Sequence, residues 1–193
     1  MAQFDSQFPP KNTRTHEVCG PSAHAFAFAL AGQLCAGTDG RVVLWVREAW
    51  GGEHLNPAGF AAYLDPTRLL IAHAPSHIDV LASAEEALRS GRVALVVMEL
   101  TQPIGLTEGR RLQLAAQSGN AMGLCILPEG MGSNAAQTRW RCAPLFDATS
   151  QGADSTLQRW EIIKNKTGTI KAWDVRWDSQ ARRINVVSEA AQR

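Results

Sequence analysis

Four short runs of apolar residues constrain the fold of this chain more than any other feature of its sequence. Each is five or six residues long and continuously apolar or nearly so, which is typical of parallel strands covered on both faces. Segments with helical spacing separate them. The pattern predicts an α/β fold with a mainly parallel, doubly wound sheet flanked by helices. The four runs are VVLWV at 42–46, LLIAH at 69–73, VALVVM at 93–98 and MGLCIL at 122–127.

The pattern changes after Pro128, where bulky apolar residues begin to alternate with charged ones. An alternation of period two indicates strands with one face buried and one face in water. We expect these segments, TRWRCAPL, RWEIIKN, KAWDVRW and RINVV, to form antiparallel strands added at the C-terminal end. The small polar residues at 147–157 predict a mobile loop between two of them.

The N-terminal region divides at about residue 15. Residues 1–15 are polar and contain Pro9 and Pro10, so we expect an extended or disordered arm there. The remaining 16–193 has a length that suits one domain. Its first helix is predicted to begin after Ser22 and to end near Gly37.

Composition excludes several classes of protein. The 193 residues carry a net charge of +1 and are 45% hydrophobic, and they include neither an apolar run of membrane-spanning length nor an export signal. A cytoplasmic location and no membrane partner are predicted. The cysteines form no CxxC pair, so buried free thiols and no metal site are expected at Cys19, Cys35, Cys125 and Cys142.

Several motifs carry a resemblance to a known family. EVCGP, LWVRE, ALVVME and EIIKNK stand in an order that resembles the RecA recombinase core, from about His16 to about Asp178. More specifically, HEVCGPSAHAFAFALA, PAGFAAYLDPTRLLIAHA, EEALRSG, RRLQLAAQSG and TRWRCAP resemble the ImuA family of RecA-like mutasome proteins. The resemblance implies a three-layer RecA-like core.

The resemblance also implies a role in SOS-induced, error-prone translesion DNA synthesis. The implied partners are an ImuB-like homologue of Y-family polymerases and an error-prone replicative-type DNA polymerase. Contacts with a RecA filament or with DNA, and self-association, are further expectations. No cofactor is implied, and the expected function is that of a non-catalytic adaptor.

The stretch GPSAHAFAF at 20–28 stands where a RecA-like ATPase has its phosphate-binding loop. Such a loop requires GxxxxGK[ST], because glycines expose backbone N–H groups, the lysine reaches phosphate oxygens and the hydroxyl holds magnesium. Gly20 and Pro21 remain. His24 does not replace the lysine, since it is shorter and mostly neutral at pH 7. With Phe26 and Phe28 opening the helix, we expect no ATP hydrolysis and no enzymatic activity.

Acidic and basic residues outline the rest of this vestigial nucleotide site. Glu48 follows LWV, where the resemblance places a water-polarising glutamate, although a solvated strand end is the preferred explanation. Glu99 ends VALVVM at the magnesium-binding position, and without a metal it is expected to cap or to pair with an arginine. Lys164 and Lys166 match residues that reach a neighbouring subunit's nucleotide in RecA filaments. Alternatively, they protect an edge strand from aggregation.

Tryptophans and arginines supply the candidates for contacts with partners or DNA. Trp and Arg are enriched in interface hot spots, and aromatic residues among basic ones can stack on single-stranded bases. The alternatives are core packing for the tryptophans and an ordinary exposed helix face for the arginines. Trp45 is expected in the core, and Trp50 is expected to project from a loop. The contact candidates are Trp140, Trp160, Trp173, Trp177, Arg110 and Arg111.

Two other functions stay open from sequence alone. One is a SulA-like inhibitor of cell division, also a RecA-related fold without a phosphate loop. The other is a residual DNA-dependent ATPase.

Overall fold

The computed structural model describes residues 2–37, 40–52, 54–147, 155–168 and 170–190, which form one nine-stranded sheet and five α-helices. The strands are β1 (Thr15–Cys19), β2 (Val42–Glu48), β3 (Leu69–Ala74), β4 (Val93–Glu99), β5 (Met122–Ile126), β6 (Thr138–Pro144), β7 (Gln158–Asn165), β8 (Ala172–Asp178) and β9 (Arg183–Ala190). The helices are α1 (Ala2–Asp5), α2 (Ala23–Leu34), α3 (Pro57–Phe60), α4 (His77–Arg89) and α5 (Leu106–Ser118).

The strand order across the sheet is β3-β2-β4-β5-β1-β6-β7-β8-β9. Every pairing from β3 to β6 is parallel, and the three pairings from β6 to β9 are antiparallel. The predicted fold class is therefore confirmed: a mainly parallel α/β sheet with antiparallel strands at the C-terminal end.

Helices cover the parallel part of the sheet on both faces. On one face, α2 packs its apolar side chains against β2, β4 and β6, and this cluster also contains the tryptophans of the antiparallel strands. On the other face, α4 and α5 bury residues such as Val80, Leu88 and Leu112 against β4 and β5. The result is three layers, with the sheet in the middle. Because both faces are covered, the central strands are apolar without interruption.

The strand β1 lies at the centre of the sheet, between β5 and β6, and the sequence patterns above do not predict it. Three of its five residues, Thr15, His16 and Glu17, are polar yet completely or almost completely buried. The His16 ring nitrogens lie 2.7 Å from Thr138 Oγ1 and 2.9 Å from the Lys11 carbonyl oxygen. Glu17 accepts hydrogen bonds from Arg139 Nε and Ser133 N, both at 2.7 Å. These distant partners make a polar strand compatible with the core.

The prediction of an extended or disordered arm at 1–15 is wrong for the described residues. The short helix α1 begins at Ala2, and Phe4 and Phe8 are buried in the main core. The Phe8 ring centroid lies 5.0 Å from that of Trp160. Burying two aromatic side chains stabilises the folded segment by several kcal/mol, which offsets the entropy lost when the arm is ordered.

Local predictions had mixed outcomes. Ser22 makes no side-chain capping hydrogen bond at the start of α2, whereas Ser76 caps α4 by accepting a hydrogen bond from Asp79 N. Residues 148–154 of the predicted loop at 147–157 lie outside the described residues. Of the four cysteines expected to be buried, Cys19, Cys125 and Cys142 are buried thiols and Cys35 is half-buried. None of the helices in the described ranges is long and apolar enough to cross a membrane.

Candidate functional site

The turn between β1 and α2 is held against β6. Gly20 has a φ of +92°, and a Cβ there would lie 2.4 Å from the Cys142 carbonyl oxygen, so glycine suits both the backbone conformation and the close approach. The same carbonyl oxygen accepts a hydrogen bond of 3.0 Å from Ser22 N. A backbone N–H group at the start of the helix, which an anion-binding loop would direct at phosphate, is thus used within the fold.

His24, in the first turn of α2, points at the end of β4. Its Nε2 lies 3.1 Å from Glu99 Oε1, and its ring stacks on Trp45 with centroids 5.9 Å apart. The His24 side chain is half-exposed. The structure therefore brings together two residues of the predicted vestigial site, and they bond to each other.

Glu99 is the centre of a small polar cluster. Its Oε1 also accepts a hydrogen bond of 2.7 Å from Trp45 Nε1, and its Oε2 forms an ion pair with Arg47 Nη2 at 3.1 Å. Burial favours the neutral acid, but the hydrogen bonds from His24 and Trp45 and the Arg47 charge outweigh it and hold the pKa of Glu99 below its usual value. The predicted pairing of Glu99 with an arginine is confirmed.

Glu48 lies next to this cluster and is not on a solvated rim, because only 8% of its surface is exposed. Its Oε2 accepts a hydrogen bond of 2.8 Å from the Thr101 hydroxyl. Glu48 and Glu99 share an open cavity of about 290 Å³ at the carboxyl ends of β2 and β4. Its lining residues are Arg47, Glu48, Trp50, Gly51, Gly52, Glu99 and Thr101.

Phe26 and Phe28 do not fill the candidate site. Phe28 stacks on Trp45 and on Phe60 at centroid distances of 4.8 and 4.9 Å, within the core. Phe26 packs on Trp160 at 4.7 Å. Of the residues that distinguish this stretch from a phosphate loop, His24 is the one that reaches the end of β4.

Lys164 lies in β7, which pairs with both β6 and β8 and is therefore not an edge strand, and Lys166 follows the end of β7. That part of their interpretation is wrong. Lys164 Nζ donates to the carbonyl oxygens of Ser133 and Ala136 at 2.8 and 3.1 Å, and Lys166 Nζ donates to Ala135 O at 2.7 Å. Burial, with the neighbouring charges of Arg139 and Lys166, lowers the pKa of Lys164 against the opposing effect of Glu17. Both lysines hold the segment before β6.

The four tryptophans proposed for contacts are buried, with at most 7% of their surface exposed. Alternation along a strand puts them on the inner face of the sheet, where α1 and α2 cover them. The prediction that they contact partners or DNA is corrected to core packing. They are Trp140, Trp160, Trp173 and Trp177.

The two arginines of α5 remain at the surface. Arg110 is exposed, and Arg111 pairs with Glu85 of α4 at 2.8 Å. Arg110 and Arg111 lie on a helix packed on the opposite face of the sheet from α2, so they are not part of the cavity.

Five of the seven residues lining the cavity were not predicted as site residues, and Arg47 and Trp50 are the two with the largest side chains. Arg47 is a charged residue directly after the apolar run VVLWV, and its side chain is buried. A charged residue inside a strand is rarely buried without a partner, so the position of Arg47 in the strand was the sequence signal that could have identified it as a site residue. Trp50 is confirmed as a projecting residue, with 68% of its surface exposed.

These features define a class: a mainly parallel α/β protein with a glycine turn at the start of α2, a polar cluster at the strand ends and an open cavity beside it. Protein ImuA of Caulobacter vibrioides, in strains NA1000 and ATCC 19089, is 31% identical over 147 residues, and the match covers 67% of this chain and 59% of each relative. The chain is thus distantly related to ImuA, and the match spans less than two thirds of the relatives' length.

Two other comparisons add little. No protein-family model matches the chain. The crystal structure of SulA from Pseudomonas aeruginosa has a TM-score of 0.49 and 24% identity, covering 58% of this chain and 97% of that one. At that level the likeness does not bear on function.

Proposed function

We propose that this chain is a member of the ImuA family and acts as a non-catalytic adaptor in SOS-induced, error-prone translesion DNA synthesis. The observation that carries the proposal is the 31% identity to ImuA over 147 residues. The proposed partners are an ImuB-like homologue of Y-family polymerases and an error-prone replicative-type DNA polymerase. A cytoplasmic location, contacts with a RecA filament or DNA, and self-association belong to the same proposal.

The lack of catalysis is supported by how the site is occupied. Ser22 N donates to Cys142 O, and Glu99, which ends β4, is engaged by His24, Trp45 and Arg47. A nucleotide–magnesium complex would have to break several of these bonds before it could bind. Titration calorimetry with ATP and magnesium should therefore give no binding heat. Saturable binding together with DNA-stimulated hydrolysis would instead favour the residual ATPase.

Co-purification tests the adaptor role. The full-length protein should retain both the ImuB-like partner and the polymerase from cells under DNA damage. Arg110→Ala changes an exposed residue that we propose as a contact, and Arg92→Ala, at an exposed position just before β4, is the matched surface control. Loss of partner only with Arg110→Ala would support that contact. If neither partner is retained by the unmodified full-length protein, the adaptor proposal is wrong.

A further inference from the structure

Glu48 is a buried carboxylate whose charge has no cationic partner in the described part of the chain. Thr101 satisfies Oε2, while Oε1 has neither a hydrogen bond nor an ion pair among those residues. Only 8% of Glu48 is exposed, yet it lines an open cavity. Buried carboxylates are usually paired, because an uncompensated charge in the interior is costly.

Arg47 does not neutralise Glu48. Its Nη2 is paired with Glu99, and its buried Nε has no hydrogen-bond partner. Among the described residues, the charged side chains that line the cavity are thus one arginine and two glutamates, with His24 bonded to Glu99 from the α2 side. One negative charge is left over, at Glu48.

The rim of the cavity suits a cation with an apolar or planar body. Trp50 exposes 68% of its surface there, beside Gly51 and Gly52. An indole face attracts a guanidinium or ammonium group through its quadrupole, and a guanidinium also stacks on it. The two glycines leave the wall without side chains. A cavity of about 290 Å³ is smaller than most drug-sized ligand sites and suits a single inserted side chain.

We propose that this cavity receives an arginine side chain from a partner protein, with the guanidinium on the Glu48 carboxylate and against the Trp50 ring. Arginine is favoured over lysine because its planar fork can meet a carboxylate with two hydrogen bonds while stacking. The inference goes beyond the adaptor role and rests on it only in taking the occupant to be a protein.

Other occupants fit the cavity less well. An anion would meet the free charge of Glu48, and a nucleic acid would bring phosphates to an acidic wall. Lys164 and Lys166 of a second copy of this chain are a poor match, because both already donate to carbonyl oxygens of their own fold.

The test uses the full-length protein and a blocked pentapeptide with one central arginine in a glycine background. Binding is followed by the indole N–H resonance of Trp50 in two-dimensional NMR, assigned with Trp50→Phe. The arginine peptide should shift this resonance saturably. The same peptide with citrulline, which keeps the shape and loses the charge, should bind about tenfold or more weakly, as expected for a lost charge-assisted hydrogen bond.

Glu48→Gln should weaken binding of the arginine peptide by about tenfold. It should preserve the hydrogen bond from Thr101, since a glutamine side chain still offers an acceptor oxygen. Glu86→Gln is the matched control, because Glu86 is an exposed acid on α4 away from the cavity, and it should change nothing. Thermal melting of both variants checks that they fold.

Equal binding of the citrulline and arginine peptides, or full binding to folded Glu48→Gln, would overturn the proposal. So would a thymidine oligonucleotide that shifts Trp50 at lower concentration than the arginine peptide, because it would make the cavity a base-stacking site. Failure of the co-purification with intact peptide binding would remove the named partners and leave the arginine site standing.

Discussion

The tryptophan cluster gives the sharpest test of the fold, because the sequence suggested a surface role for the same residues. Trp160 is 1% exposed and lies with its ring centroid 4.7 Å from Phe26 and 5.0 Å from Phe8. Trp160→Ala removes an entire buried indole and leaves a cavity. Such truncations lower the free energy of unfolding by about 3–5 kcal/mol. For a chain of this size that loss corresponds to a fall in Tm of about 6–20 °C.

The assay is urea unfolding followed by circular dichroism at 222 nm, with Trp50→Ala as the matched control. Trp50 is 68% exposed, so its truncation should change the free energy of unfolding by no more than about 0.5 kcal/mol. The midpoint should fall for Trp160→Ala with an unchanged slope. The assignment of Trp160 to the core is refuted if Trp160→Ala lowers the free energy of unfolding by less than about 1 kcal/mol, or if Trp50→Ala lowers it by more than Trp160→Ala does.

Three further perturbations follow from the polar interior and the tight turn. Burial lowers the pKa of His16 to about 4, so the unfolded chain binds this proton first and stability falls as the pH drops from about 6.5 towards 4. The free energy of unfolding, measured from urea midpoints, should fall by about 2 kcal/mol between pH 7 and pH 5. A folded His16→Gln variant should lose much less stability over the same range. An equal loss in both proteins would contradict the assignment of this effect to His16. Glu99→Gln leaves the Arg47 charge buried without its carboxylate and should lower the free energy of unfolding, measured with urea, by about 3 kcal/mol. Adding Arg47→Met should recover part of this loss. Strictly additive losses from the two substitutions would argue against the pairing. Gly20→Ala should lower Tm or the soluble yield sharply, because Gly20 has a φ of +92° and a Cβ there has no space. Gly52→Ala should not, because nothing lies within 4 Å of the new Cβ. Comparable melting of the two variants would refute the strain at Gly20.

The sequence predicts most of the sheet because burial determines its pattern. Strands covered on both faces are apolar throughout, and strands covered on one face alternate, so eight of the nine strands in the described residues are evident from their residues. The strand β1 was missed because His16 and Glu17 make it look polar. Their partners, Thr138 and Arg139, are 122 residues away, and no local pattern contains that information.

The candidate site was predictable only in part. The positions of Glu48 and Glu99 follow from strand ends, since the carboxyl ends of parallel strands meet at one edge of the sheet. Which face of the antiparallel strands is buried does not follow from alternation alone. It depends on Phe4 and Phe8 folding back over the tryptophans, which the polar composition of the first residues conceals.

The central position of β1 also affects how the chain can fold during synthesis. Residues Thr15–Cys19 are synthesised about a hundred residues before their pairing partners in β5 and β6, which begin at Met122 and Thr138. At ordinary elongation rates this strand waits on the order of 10 s before either neighbour exists. During that interval its backbone N–H and C=O groups on both sides are unpaired. A nascent chain halted before β5 should therefore depend on chaperones for solubility, whereas one halted after β6 should need them far less.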